Sequence, residues 1–220
     1  MENLSIRKTS PFYSILLCLI FLSNPLQALN TQLGIRGFLS GGYPSGKGLW
    51  DWTDTHSTGT LEWGIGGGGG LVSRLQLNDR FYLEGGINYV YIRAGQTLDV
   101  TSYTFTQMSI EFPLIFKSRL PFEKSEWYLG AGPNLIILPF EALRNNRTAT
   151  PDKSIMMALQ VGLDYKVMEK EKSDILLSAN FIHPVTSPAY EWEEESSGSV
   201  RINRLELCVT WLLNIGRREL

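Results

Sequence analysis

Between Arg204 and Ile215 every second residue is apolar: Leu205, Leu207, Val209, Trp211, Leu213 and Ile215. The positions between them are Arg204, Glu206, Cys208, Thr210, Leu212 and Asn214. Side chains on an extended backbone alternate sides, so this period dictates a strand with one oily face and one largely polar face. At 12 residues the strand is long, about twice the length of an ordinary one. A tilted strand that crosses a bilayer needs about 9–11 residues, so both length and two-sidedness suit a strand that spans a membrane.

Seven further segments share the pattern. Period-two alternation bounded by Gly, Pro, Asn, Asp and Ser clusters places strands near 33–42, 60–72, 79–93, 104–119, 126–139, 154–168, 173–186 and 200–215. Their apolar faces include Trp63 and Ile65, Phe81 to Tyr91 in alternation, Met108 to Phe116, Trp127 and Leu129, Ile155 to Val167, and Ile175 to Phe181. The connections near 43–59, 94–103, 140–153 and 187–199 are long, whereas those near 73–78, 120–125 and 169–172 are short. Outer-membrane barrels sort their connections in this way, with short periplasmic turns and longer outer loops. The expected fold is therefore all-β: an eight-stranded, antiparallel, up-and-down transmembrane β-barrel with both ends of the barrel sequence on the periplasmic side.

The first 28 residues read differently. Arg7 and Lys8 precede the apolar run Phe12–Leu22, and Pro25-Leu26-Gln27-Ala28 ends on a small residue. Basic region, short apolar core and small residue make a cleaved secretory signal peptide, so 1–28 is assigned to the signal and 29–220 to the barrel domain. Removing it takes away two basic and one acidic side chain, leaving 18 basic against 21 acidic. So weak an acidic balance gives no reason to expect nucleic acid. Cys18 sits in the apolar core of the signal, so Cys208 has no internal disulfide partner in the mature chain. Bacterial outer membrane is the expected location, with lipid as the surrounding partner and a monomer as the expected state.

In such a barrel the polar faces turn inward. They carry Arg36, Glu62, Glu84, Glu111, Lys117, Asp164, Lys166, Arg204 and Glu206, and a charge in a narrow lumen needs a partner to offset its desolvation. Eight strands enclose a space only wide enough for side chains. These residues are expected to pair into an ion network that plugs the lumen. Aromatic residues near strand ends suit the two membrane interfaces: Phe81, Tyr82, Phe122, Trp127, Tyr128, Tyr165 and Trp211 on the periplasmic side, and Tyr43, Trp63, Tyr89, Tyr91, Tyr103, Phe105 and Phe140 on the outer side.

The stretch Met108-Ser-Ile-Glu-Phe-Pro-Leu-Ile-Phe-Lys117, followed by Trp127-Tyr-Leu-Gly-Ala-Gly-Pro133, resembles small outer-membrane barrel domains grouped with PorT-like and OmpA-like proteins. The resemblance is specific over 108–133 and implies an eight-stranded barrel in the outer membrane of a diderm bacterium. It does not imply one activity, because fold and function separate on such scaffolds. The family commonly finishes on an aromatic residue, whereas this chain runs past Ile215 through Gly216-Arg217-Arg218-Glu219-Leu220. An OmpA-like tether domain after the barrel is not expected.

Two glycine motifs match nucleotide-binding patterns without their context. Gly64-Ile65-Gly66-Gly67-Gly68-Gly69 fits Gly-x-Gly-x-x-Gly, but leads into another strand instead of the helix whose amides would hold a pyrophosphate. Gly41 to Lys47 fits a P-loop up to its lysine, and Gly48 then stands where Ser or Thr belongs. Both read as strand or turn glycines. His56 with Asp51 and Asp54 is too sparse for a metal site, so no metal and no cofactor are expected.

Three functional classes remain. The preferred one is a noncatalytic barrel of structural or surface-binding role, whose outer loops meet an extracellular or envelope protein through Trp50, Trp52, Arg144, Arg147, Tyr190 and Trp192. The second is a lipid-modifying enzyme similar to lipid A deacylases, with His183, Ser187 and Glu191 as weak catalytic candidates. That family spaces His and Ser two apart, and His183-Pro-Val-Thr-Ser187 does not. The third is a soluble, lipocalin-like periplasmic ligand-binding barrel.

Overall fold

The computed structural model describes residues 30–45, 59–61, 63–98, 101–121, 126–139, 142–144, 147–151, 154–170, 172–186, 189–191, 197–199 and 201–215. The proposed signal peptide, 1–28, lies outside them. Eight long strands build the wall: β1 Thr31–Ser45, β2 Gly64–Gln76, β3 Phe81–Leu98, β4 Thr101–Arg119, β5 Trp127–Ile137, β6 Ile155–Lys170, β7 Ser173–Pro184 and β8 Arg201–Ile215. Each pairs antiparallel with the next. The last returns to the first, with Thr31 opposite Ile215 and Ser45 opposite Arg201. The sheet is closed, which removes the edges that a bilayer could not satisfy.

The register fixes the tilt. Cα partners followed once around the wall run Thr31, Leu75, Leu83, Phe116, Ala131, Val161, Phe181, Leu205 and then Gly41. The circuit closes ten residues above its start on β1, from Thr31 to Gly41. With a rise of about 3.3 Å per residue and strands about 4.8 Å apart, that stagger tilts the strands by about 40°.

The oily faces point outward. Leu39 is 73 % exposed, Ile65 78 % and Leu207 63 %, whereas Glu84 is 2 % and Arg74 2 % exposed. A soluble barrel would show the reverse, so the lipocalin-like alternative is overturned. Such an apolar exterior is stable only against lipid. Phe81, Trp127, Tyr165 and Trp211 face outward near the short turns, and Tyr43, Trp63, Tyr89 and Tyr91 do so toward the other end. Phe81 stacks on Phe116 at 5.3 Å and Trp127 lies 4.7 Å from Tyr165. Tyr82 and Tyr128 depart from the expected girdle. They pack edge to face at 5.4 Å beneath the Arg74 guanidinium, and Tyr128 is 4 % exposed. Their even numbers put them on the lumen face, out of phase with Phe81 and Trp127. Phe122 and Phe140 lie outside the described residues, and no side chain is described at Tyr103 or Phe105.

Strand ends differ from the expected ones in several places, β1 for one running from Thr31 to Ser45 instead of 33 to 42. β2 runs on to Gln76 instead of stopping at 72. The connection expected at 94–103 is instead a hairpin arm, because β3 and β4 stay paired up to Leu98 opposite Thr101. The Thr-, Tyr- and Phe-rich run 101–106 has the β propensity to continue the ladder beyond the bilayer. Short strands dock on this arm. Gly59–Leu61 pairs with Gln96 to Leu98, and Phe105 and Thr106 pair with Ala142–Arg144, from which Arg147–Pro151, Ala189–Glu191 and Ser197–Ser199 follow in order. At the opposite end Asn78 closes the β2–β3 turn by accepting from the backbone N–H groups of Arg80 and Phe81, both at 2.9 Å.

The glycine run of β2 sits in the wall, where it makes room in the lumen. A Cβ on Gly68 would meet the Phe38 ring at 2.6 Å and the Tyr89 carbonyl oxygen, and one on Gly70 would meet the Asn88 side chain. Gly68→Val is therefore expected to destabilise the barrel by about 1–3 kcal/mol through overpacking, read as a lower urea midpoint. Adding Phe38→Ala should recover part of the loss only, since the Tyr89 carbonyl stays in place.

Candidate functional site

The inward faces converge on two ion clusters inside the barrel. In the first, Glu84 of β3 takes Arg36 Nη2 of β1 at 2.5 Å on Oε1. Its Oε2 takes Arg74 Nη2 of β2 at 2.7 Å and Lys117 Nζ of β4 at 2.9 Å. Asp164 of β6 shares two of those cations, with Oδ2 at 2.8 Å from Arg74 and 2.5 Å from Lys117. Arg36 Nε donates to the Thr210 hydroxyl of β8 at 2.9 Å. All five side chains are at most 4 % exposed. Three cations face two carboxylates here.

The second cluster has the opposite balance. Arg204 of β8 grips Glu111 of β4 in a two-pronged pair, Nη1 to Oε1 at 2.5 Å and Nη2 to Oε2 at 2.7 Å. Asn134 and Ser109 add hydrogen bonds to the same carboxylate at 2.8 and 3.1 Å. Glu206 lies 3.3 Å from Arg204 Nη2. One cation faces two carboxylates. Together the clusters hold four basic and four acidic groups, so the buried charge cancels across the lumen while each group keeps a close partner.

Of the residues expected in one network, Arg36, Glu84, Lys117 and Asp164 meet in the first cluster and Glu111, Arg204 and Glu206 in the second. Lys166 belongs to neither. It sits at the barrel mouth beside the short turns, with Glu126 at 3.0 Å and Glu169 at 2.6 Å. Glu62 lies outside the described residues. Arg74 was not expected, because ending the second strand at 72 turns its position into a loop; extending the alternation by two residues finds it. Asn88, Gln160 and Asn180 line the lumen between the clusters, and Asn180 Nδ2 donates to Cys208 Sγ at 3.1 Å.

The lumen is not polar throughout. Near the outer end its inward residues are Val90, Ile92, Ile136, Leu138, Met156 and Ile202, all buried in one apolar cluster with Phe38. A smaller group, Val72, Leu176 and Leu212, lies toward the other end. The outer apolar group covers the ions from the loop side and keeps water from competing for them there, whereas Arg74 borders the mouth at the other end.

The weak catalytic set is not assembled in the described residues. His183 is exposed on the outward face of β7, its Nδ1 2.7 Å from Asn203 Oδ1. Ser187 lies outside the described residues, and Glu191 is described only as backbone paired with Thr150 and Ser197. Among the loop candidates, Arg144 pairs with Arg147 across a hairpin and Tyr190 with Gly198 and Pro151. Trp50, Trp52 and Trp192 lie outside the described residues. No group of three His, Cys, Asp or Glu that could hold a metal ion occurs among the described residues.

No protein-family model matches the chain, and no curated protein sequence matches it. Solved structures do. The outer membrane protein OprG of Pseudomonas aeruginosa superposes with a TM-score of 0.55 at 13 % identity, covering 85 % of this chain and 97 % of that one. Neisserial surface protein A superposes with a TM-score of 0.49 at 13 % identity, covering 83 % and 97 %. The likeness to OprG bears on the fold, and with the closed register and the apolar exterior it makes this an eight-stranded β-barrel of the bacterial outer-membrane type.

Proposed function

We propose that this integral outer-membrane β-barrel is noncatalytic and that its lumen is closed, leaving its outer arm and loops to do the contacting. The single observation that carries the reading is the pair of ion clusters spanning the interior, from Arg36 to Glu84 and from Arg204 to Glu111, capped by apolar side chains. In an eight-stranded wall these side chains occupy the space a pore would need. The β3–β4 arm and the strands paired with it offer a platform for an extracellular or envelope protein. The 108–133 motif supports grouping with PorT-like and OmpA-like barrels.

Single-channel recording in planar bilayers tests the closed lumen. The expected trace has no steady open level, and a stable channel of uniform conductance would sink the reading. Membrane fractionation with heat-dependent gel mobility should place the folded protein in the outer membrane. Lipid A mass spectra should be identical for cells carrying the natural chain or Ser187→Ala, and a loss of deacylated lipid A in the variant would establish an enzyme instead.

A further inference from the structure

The mouth beside the short turns opens into a vestibule of about 390 Å³, within the size range of small-molecule sites. One wall is ionic and self-satisfied: Arg119 pairs with Glu126 at 2.9 Å, and Lys166 lies between Glu126 at 3.0 Å and Glu169 at 2.6 Å. Arg74 forms part of the floor, committed to Glu84 and Asp164. The opposite wall is made of amides around one carboxylate. Gln32 Nε2 donates to Asp174 Oδ2 and to Asn214 Oδ1, both at 2.6 Å, and Asn30 Nδ2 donates to Gln76 Oε1 at 3.1 Å.

Asp174 is the odd member. It is 9 % exposed, lines the cavity, and its Oδ1 has no hydrogen-bond partner among the described residues. Among the described residues the only group on its other oxygen is a neutral amide. A carboxylate withdrawn from water without a cation is costly, and a ligand that brings one removes the cost. A primary ammonium fits, because it is compact and has three donors. The amide groups not used in these bonds, Gln32 Oε1 as acceptor and Asn214 Nδ2 and Gln76 Nε2 as donors, suit hydroxyl groups, which both donate and accept.

We propose that this vestibule is a periplasm-facing binding site for a small soluble molecule with a primary ammonium beside hydroxyl groups, an amino sugar in chemical class, seated on Asp174. The site lies inside the strand ring instead of on the lipid-facing wall, so its ligand comes from the aqueous side.

The test uses the full barrel in detergent micelles, with glucosamine as probe and N-acetylglucosamine as the neutral control of the same ring. Side-chain amide resonances of the barrel are followed by ¹⁵N NMR during each titration. Saturable shifts with glucosamine, at least tenfold weaker with the acetylated sugar, are expected. Asp174→Asn should abolish the glucosamine response while heat-dependent gel mobility shows the barrel intact. No saturable shift with glucosamine, or equal responses to both sugars, would overturn the proposal. The two-sugar comparison needs no variant, so it decides the matter even where Asp174→Asn fails to fold. A channel found in bilayers would count against a closed lumen without touching this result.

Discussion

Replacing Glu84 by alanine is expected to cost the folded barrel about 3–5 kcal/mol, the largest effect of any single lumen substitution. Among the described residues Glu84 alone receives three cations, Arg36 at 2.5 Å, Arg74 at 2.7 Å and Lys117 at 2.9 Å. Its removal leaves Asp164 to serve two of them, and leaves Arg36 with only the Thr210 hydroxyl. The cost is that of stranding buried cations, not the net worth of the ion pairs, which is much smaller. That distinction can be measured. Adding Arg36→Met to Glu84→Ala removes the most stranded charge and should restore part of the stability, a coupling visible in a double-mutant cycle. Glu169→Ala breaks an ion pair whose carboxylate is 58 % exposed and should change stability by less than about 1 kcal/mol. Urea unfolding from lipid vesicles, with Arg36→Met alone completing the cycle, gives all four values. Equal losses for Glu84→Ala and Glu169→Ala would mean that the lumen cluster is hydrated and contributes little.

The same cluster shows what alternation can and cannot reveal. Period two assigns each residue to a face, and it assigned Arg36, Glu84, Glu111 and Arg204 to the one that turns inward. Which of these meet depends on the stagger of the wall. Thr31 reaches the level of Gly41 only after a full circuit, so residues far apart in sequence share a layer and near ones do not. One expected network is for that reason two, and Lys166 belongs to the mouth. Arg74 is hidden in the sequence because the polar residues after Val72 look like a turn and end the strand four residues short of Gln76. The apolar cap was missed for a different reason. Val90, Ile136 and Met156 alternate with other apolar residues, so both faces of those segments are oily and contrast between faces is lost. The vestibule was not legible at all. Asp174, Gln32 and Asn214 come from three strands, and only the closed register brings them together.

Placing an arginine at Leu207 asks the reciprocal question, whether the outer face really meets lipid. Leu207 is 63 % exposed and pairs with Leu39 on one side and Ala179 on the other, in the middle of the apolar belt bounded by Trp127 near one end and Tyr91 near the other. In water the substitution would be harmless or even solubilising, since it swaps an exposed leucine for a charge. At the bilayer midplane it should destabilise the fold by about 2–4 kcal/mol. Ile215→Arg, at the end of β8 and 50 % exposed, should cost about 0–1 kcal/mol, because an arginine near an interface reaches the headgroups. The depth dependence is the diagnostic quantity. Unfolding free energies in vesicles that fall at Leu207 and hold at Ile215 locate the membrane on this surface. Equal, small effects at both would leave the apolar belt without lipid to cover it and would point to a protein partner around the barrel.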